Sequence, residues 1–225
     1  VFYDEMTAIP SPQMREAGRD FDKYDDVCDH LLVVDREAHG EDGQPLVVGT
    51  YRLTREKDAA RAGGFYTSSE YDIAPMLNGL PADTKYLELG RSCVHPDWRA
   101  GGVILALWGA LGEFMQRNGL ETMIGCASVG MRDGGHVAAS LWQQLRERHL
   151  APIEWQVRPR LALPVDELRS DLPVEPPALI KGYLRCGAQL LGPPAWDPDF
   201  NTADLPLMMR LADLPARYRR HFLAD

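Results

Sequence analysis

The chain has 225 residues, 45% of them apolar and 25% charged, with a formal net charge of −9, the composition of a folded globular protein large enough for an ordinary core. The negative balance argues against non-specific nucleic-acid binding, which needs a basic surface to displace counterions. The four cysteines, at 28, 93, 126 and 186, form no Cys-x-x-Cys pair, which argues against a zinc site and for reduced thiols in the cytoplasm; no apolar run reaches the roughly 18–20 residues of a spanning helix, and no signal peptide is visible.

The first residue is Val1 rather than Met, and VFYDEM reads as the end of an amphipathic helix, so the chain is expected to lack its natural start. Residues 10–26 are polar and turn-rich and read as a loop. CDHLLVVD (28–35) has the length of a buried strand, HGEDGQ (39–44) supplies a hairpin turn, and PLVVGTYRLT (45–54) returns as the partner strand. An irregular stretch follows, with a short helix expected near Asp72 to Leu77.

TKYLELGRSCVHP (84–96) alternates as a strand. Val103 to Asn118 carries apolar residues at helical spacing and ends before Gly119, which suits a helix C-cap. ETMIGCAS (121–128) reads as a buried strand and HVAASLWQQLRERH (136–149) as an amphipathic helix. Beyond Leu150 the prolines multiply; 176–188 fits a helix begun by proline, 204–211 a strand and 214–222 a closing helix. Antiparallel strands followed by a strand–helix–strand unit imply an α/β (α+β) fold, a twisted mixed sheet flanked by helices, and the absence of repeats or linkers implies one domain over 1–225.

The most informative segment is ELGRSCVHPDWRAGGVILALWGAL, from Glu88 to Leu111. A strand ends at Val94, Pro96 follows, and an Arg and two glycines turn directly into an apolar helix. Such a turn exposes backbone N–H groups that together hold an anion. A tight strand-to-helix turn with no ligand accounts for Gly-Gly alone; the V-x-P-x-x-R preceding it is the rarer element.

Arg99, Ala100, Gly101, Gly102, Val103 and Ile104 resemble the phosphopantetheine-binding turn of the GNAT superfamily, usually R/Q-x-x-G-x-G/A, with the last small residue displaced. More of the chain resembles the ornithine-lipid-type N-acyltransferases and N-acyl amino-acid synthases, and more distantly the acyl-homoserine-lactone synthases. The matching pieces are VFYDEM, YDDVCDHLLVVD, VVGTYRL, FYTSSEYDI, LELGRSCVHPDWR, KGYLRCGA and DPDFNTADL, in order along nearly the whole length. The resemblance implies a GNAT-like fold and transfer of a long-chain acyl group from an acyl carrier protein thioester to the amine of an amino acid such as ornithine. It implies acyl-phosphopantetheine or acyl-coenzyme A as donor substrate, with no permanently bound cofactor and no metal. A lipid product would also bring the enzyme into peripheral contact with the inner membrane face.

By the same resemblance Glu88 and Arg91 match a Glu and an Arg that bind and activate the acceptor. The reaction itself needs a group to accept the amine proton, and a carboxylate acting through water suits that task. In a regular strand the two side chains would face opposite ways unless a bulge intervenes; for Glu88 a surface or ion-paired carboxylate is the plain alternative. Asp22 and Asp25 resemble an acidic cluster, with Asp20 standing in for a Glu, able to hold a substrate ammonium; a solvated acidic loop fits them as well. Arg52 matches a further position and would pair with those acids or with the acceptor carboxylate. Backbone N–H groups near Cys93 and Val94 are expected to hold the oxyanion.

Cys28 and His30 share a strand face, and a thiol beside a hydrogen-bonded imidazole is preferred to a nucleophilic pair. His95 and His136 read as structural, and Cys93 and Cys126 as inert core thiols. Met76, Leu77, Leu105, Trp108 and Trp142 are candidate walls for the lipid tail, though apolar residues at helical spacing are more often plain core. An acidic carrier protein requires a local cationic face, for which Arg158, Arg160, Arg185, Arg217, Arg219 and Arg220 are candidates. Two other functions compete: a coenzyme A-dependent short-chain N-acetyltransferase, and a non-catalytic lipid- or carrier-binding module.

Overall fold

A computed structural model describes residues 2–100 and 102–222. In chain order the elements are α1 (Pro12–Ala17), β1 (Asp29–His39), β2 (Pro45–Arg55), α2 (Glu56–Arg61), α3 (Thr67–Glu70), β3 (Tyr71–Asp72), α4 (Ala74–Gly79), β4 (Tyr86–Val94), α5 (Val103–Asn118), β5 (Thr122–Gly130), α6 (His136–His149), β6 (Arg158–Pro159), α7 (Ala178–Arg185), β7 (Gln189–Leu190), β8 (Ala195–Asp197), β9 (Thr202–Arg210) and α8 (Ala216–Phe222). Both long helices begin and end as the apolar spacing predicts. Gly119 closes α5 with a left-handed φ of 59°, a conformation glycine adopts without a Cβ penalty. Asp133 opens α6 by accepting the Val137 N–H at 2.6 Å.

The main sheet runs β1-β2-β4-β5-β9-β7, with β8 added beside β9; β3 and β6 form a separate pair. Its ladders are antiparallel except β4–β5, which is parallel, as the strand–helix–strand unit requires. One face buries Leu53, Leu87 and Met123 against α5 and Ala127, Val129 and Leu205 against α6 and α7. The other face buries Tyr86, Ile124 and Met208 against Met76 of α4, Ala59 of α2 and Phe65.

Two segments and one set of side chains depart from the sequence reading. Residues 12–17, expected as loop, form a short helix because Ser11 accepts the Met14 N–H and Pro12 occupies the first turn. The irregular stretch after β2 contains α2 and α3, both too short to show a helical period. Of the proposed lipid-tail walls, Met76 and Trp142 are core, Leu77 packs against that core, and Leu105 is 51% exposed. Trp108 borders a cavity between α5 and α8.

Candidate active site

Two irregularities in β4 create the site. Its parallel ladder with β5 stops at Glu88↔Ile124, although both strands continue for six more residues, so the sheet opens between them. Its antiparallel ladder with β2 carries a bulge: Arg52 opposes Gly90 and Thr50 opposes Cys93, leaving Arg91 and Ser92 opposite Tyr51 alone. Arg91 takes a left-handed φ of 47°, which re-aims everything beyond it. Glu88 and Arg91 therefore both line one cavity of about 170 Å³, answering the parity problem that their three-residue spacing posed.

That cavity passes through the opening. On one face of the sheet it is charged, bordered by Arg52, Glu88, Arg91, Asp197 and Asp204; on the other its walls are Tyr51, Leu89, Ala127, Leu179 and Tyr183. A polar reactant and an apolar one can thus meet at the opening from opposite faces.

The charged face is tightly organised. Arg52, 4% exposed, donates from Nη1 to both carboxylate oxygens of Asp22, at 2.8 and 2.7 Å, and reaches Asp25 at 3.4 Å. Arg91 donates from Nε to Asp20 at 2.7 Å and from Nη2 to Asp22 at 3.2 Å. Its guanidinium also lies over the rings of Phe200 and Phe2, at 4.6 and 5.4 Å from the centroids. Of the two roles open to Arg52, the structure shows pairing with the acids. Asp20, Asp22 and Asp25 are engaged in orienting the two arginines, and Nη1 of Arg91 is held by neither aspartate.

Glu88, 3% exposed, accepts the backbone N–H groups of Tyr66 and Thr67 at 2.7 and 2.6 Å and the Thr67 hydroxyl at 2.6 Å. Burial raises its pKa, and these donors act the other way. Across the cavity Asp204, buried and pushed up to about 6, borders the space with Asp197. Glu70, pushed up to about 7 by burial and then by Asp197 and Asp204, completes a trio whose carboxylate oxygens lie within 4.8 Å of one another. Such a trio suits a cation. Asp25, Cys28 and His30 form a second close group, but Cys28 is raised to about 11 by burial, and the His30 ring contacts both its sulfur, at 3.4 Å, and the Asp25 carbonyl, at 3.2 Å.

On the apolar face Tyr51 and Tyr183 share a short hydroxyl–hydroxyl hydrogen bond, and the Trp108 indole donates to Tyr51 at 3.3 Å. Burial raises both phenols, so each remains a proton donor at neutral pH.

The other expectations distribute as follows. Cys93 and Val94 pair with Thr50 and Gly49 and do not border the cavity, whereas Arg91 and Ser92 do. The turn after β4 leads into α5 with Gly102 as N-cap and no side chain capping the exposed amides, while Gly101 lies outside the described residues, as does Val1. Arg99 is half-exposed and bound to Glu5 at 2.8 Å and to the Val94 carbonyl at 3.1 Å; Ala100 is exposed, Val103 is buried and Ile104 packs against the core. Cys126 borders the cavity and Cys93 is partly exposed, so neither is plain core, yet burial holds both thiols above their ordinary pKa. His136 accepts the Arg169 N–H and His95 that of Asp97, both structural. The arginines divide: Arg158 and Arg160 lie at β6, the other four on α7 and α8. No helix among the described residues is long and apolar enough to cross a membrane.

Tyr66, Glu70, Tyr183, Asp197, Phe200 and Asp204 were not picked out individually from the sequence. They fall in FYTSSEYDI, KGYLRCGA and DPDFNTADL, the segments that carry the resemblance, but they are spread over α3, α7, β8, β9 and the turns beside them, so no single spacing in the sequence marks them as one site.

Residues 1–109 match the family described as an acetyltransferase (GNAT) domain. The chain is 38% identical over 235 residues to an L-ornithine N(alpha)-acyltransferase of Agrobacterium fabrum (strain C58), covering 99% of this chain and 78% of that protein. It is 36% identical over 237 residues to the L-ornithine N(alpha)-acyltransferase of Rhizobium meliloti (strain 1021), covering 100% and 78%. Among solved structures, a CoA-dependent acyl-homoserine lactone synthase, BjaI, with SAM and isopentyl-CoA shares the fold, with a TM-score of 0.52 and 17% identity over 100% of this chain and 78% of that one.

Proposed function

Because the chain belongs to the family of L-ornithine N(alpha)-acyltransferases within the GNAT acyltransferases, we propose that it transfers a long-chain fatty acyl group from an acyl carrier protein thioester to the α-amine of ornithine. The enzyme is an acyltransferase that acylates an amino-acid amine with a thioester donor. The observation that carries the finer reading is the cavity through the opened β4–β5 seam, charged on one face and apolar on the other.

Ornithine enters from the charged face. Its carboxylate meets Nη1 of Arg91, whose remaining donors Asp20 and Asp22 hold in place. Its side-chain ammonium sits against Asp197, Asp204 and Glu70, relieving the crowding that raises Glu70 and Asp204. Arg52 and Asp25 complete the frame that positions Arg91. The α-amine then lies beside Glu88, which accepts its proton through a water.

The thioester enters from the apolar face. Arg99 and the amides of the 99–104 turn, Arg99, Ala100, Gly101, Gly102, Val103 and Ile104, hold the pantetheine phosphate at the start of α5; Arg99 must exchange Glu5 for it. Attack forms the C–N bond and a tetrahedral oxyanion. Backbone N–H groups on the open edge of β4 at Arg91 and Ser92, which border the cavity, rather than those of Cys93 and Val94, face that charge. Collapse breaks the C–S bond; the Tyr183 hydroxyl, held by Tyr51, donates a hydrogen bond to the leaving thiolate, and the proton that the amine gave to Glu88 through water returns to the sulfur to complete the free thiol. Residues 1–225 act here as one catalytic domain, and the amphiphilic product favours work at the inner membrane face.

The test is incubation with long-chain acyl carrier protein thioesters and a panel of amino acids, read by mass spectrometry. An N-acyl ornithine is expected, with acetyl-CoA a poor donor. Equal or better use of acetyl-CoA overturns the long-chain reading.

A further inference from the structure

We infer that the acyl chain of the donor runs behind Tyr183 into an apolar channel between α5 and α8, and that the C-terminal helix sets the chain length accepted. The inference rests on the proposed acyl transfer and extends it from the reacting atoms to the far end of the lipid.

Three cavities meet at one side chain. Tyr183 borders the reaction cavity, a second cavity along β5 and β9, and a third between α5 and α8. The first two share Leu89, Cys126 and Ala127, and the second and third share Met123 and Met209. A path thus leads from the opened seam along the apolar face and ends at Leu214 and Phe222. Its lining carries no charged side chain, so the path suits a hydrocarbon chain and not the pantetheine arm, whose amides would lose their hydrogen bonds there.

Two features distinguish this path from a packing defect. The second and third cavities are narrow, about 40 and 30 Å³, but they are bordered by Met115, Met123, Met208 and Met209, four of the chain's eight methionines. Unbranched thioether side chains repack around a guest at low cost. The roof is fixed: Gly182 brings α7 so close to α5 that a Cβ there would stand 2.2 Å from the Trp108 ring, and Tyr183 stacks on the same ring at 5.7 Å. A rigid entrance with a deformable interior is what a channel for a flexible chain requires. Gly112 of α5 borders the distal part without a side chain, and Phe222 of α8 closes it.

The experiment compares wild type, Gly112→Leu and Phe222→Ala with acyl-CoA or acyl carrier protein thioesters of four to eighteen carbons and ornithine as acceptor. Gly112→Leu fills the distal part; kcat/KM for the longest donors is expected to fall about 100-fold while the shortest donors change less than about 2-fold. Phe222→Ala opens the end and is expected to move the optimum to longer donors, which keeps the inference testable should Gly112→Leu fail to fold. Length profiles unmoved in a folded, active variant overturn the channel while leaving acyl transfer intact. If wild type transfers no acyl group, the proposed function fails, and calorimetric titration with alkyl-pantetheine thioethers of increasing chain length still decides the channel: affinity that rises with length in wild type and not in Gly112→Leu supports it, and affinity independent of length in wild type overturns it.

Discussion

Asp22 and Arg52 are joined by two hydrogen bonds from one guanidinium nitrogen, at 2.8 and 2.7 Å, while the same aspartate holds Arg91 at 3.2 Å. One carboxylate thus positions two arginines from neighbouring strands. Asp22→Asn keeps the shape but removes the closer of the two carboxylates that pair with Arg52, leaving Asp25 at 3.4 Å. Breaking a buried pair costs about 3–5 kcal/mol; Asp22 is partly exposed, so a loss of about 2 kcal/mol is expected in urea denaturation, with a raised KM for ornithine. A KM that stays at the wild-type value would show that the acids do not position the acceptor site.

Glu88→Gln should lower kcat by about 10²–10⁴-fold with little change in the acyl-donor KM. The amide also presents an NH₂ where the carboxylate accepts the Tyr66 and Thr67 N–H groups, so α3 is expected to loosen. Comparison of pH–rate profiles separates the two roles: a purely structural Glu88 leaves the acidic limb of kcat unmoved.

Asp204→Asn tests recognition of the second amine. Loss of a charge-assisted contact worth about 1.5–3 kcal/mol should raise the KM for ornithine about 10–100-fold and leave that for norvaline, which lacks the amine, unchanged. In the parent enzyme, ornithine binding should weaken as pH falls through about 6, where Asp204 becomes neutral. Equal effects on both amino acids would remove Asp204 from acceptor recognition.

Glu70 supplies a stability test. Its pKa is raised to about 7 from 4.5, first by burial and then by neighbouring acids, so between those values the folded state binds more protons than the unfolded one. Its contribution is destabilising above pH 7 and vanishes below about 4.5. Glu70→Gln is expected to stabilise the protein at pH 8 by on the order of 1 kcal/mol, discounted for partial exposure, or roughly 2–4 °C in Tm. At pH 4.5 the two proteins should melt alike.

Much of the scaffold could be read from periodicity. Val103–Asn118 and His136–His149 are long enough for a 3.6-residue pattern to fix both ends, and the 39–44 turn places β1 against β2. The site is less legible because it is made of exceptions to periodicity. Whether Glu88 and Arg91 cooperate depends on a bulge, and a bulge leaves no mark on an alternating pattern. Asp197 and Asp204 reach the cavity from β8 and β9, distant in sequence from Glu88 and Arg91, because β9 pairs with β5 and β8 with β9. Asp22 and Asp25 were recognised as a cluster, but their engagement with Arg52 and Arg91 is a three-dimensional fact.

A left-handed backbone at a long, charged residue is held against local preference, at a cost of about 1–3 kcal/mol. At Arg91, with φ 47°, glycine would sit more comfortably, but no guanidinium would then stand between Asp20 and Phe200. Arg91→Gly should therefore not emerge from screening for thermostability alone, because relief of the backbone strain is offset by loss of the ion pairs to Asp20 and Asp22. The spot at which the fold is least at ease is the spot that the chemistry can least spare.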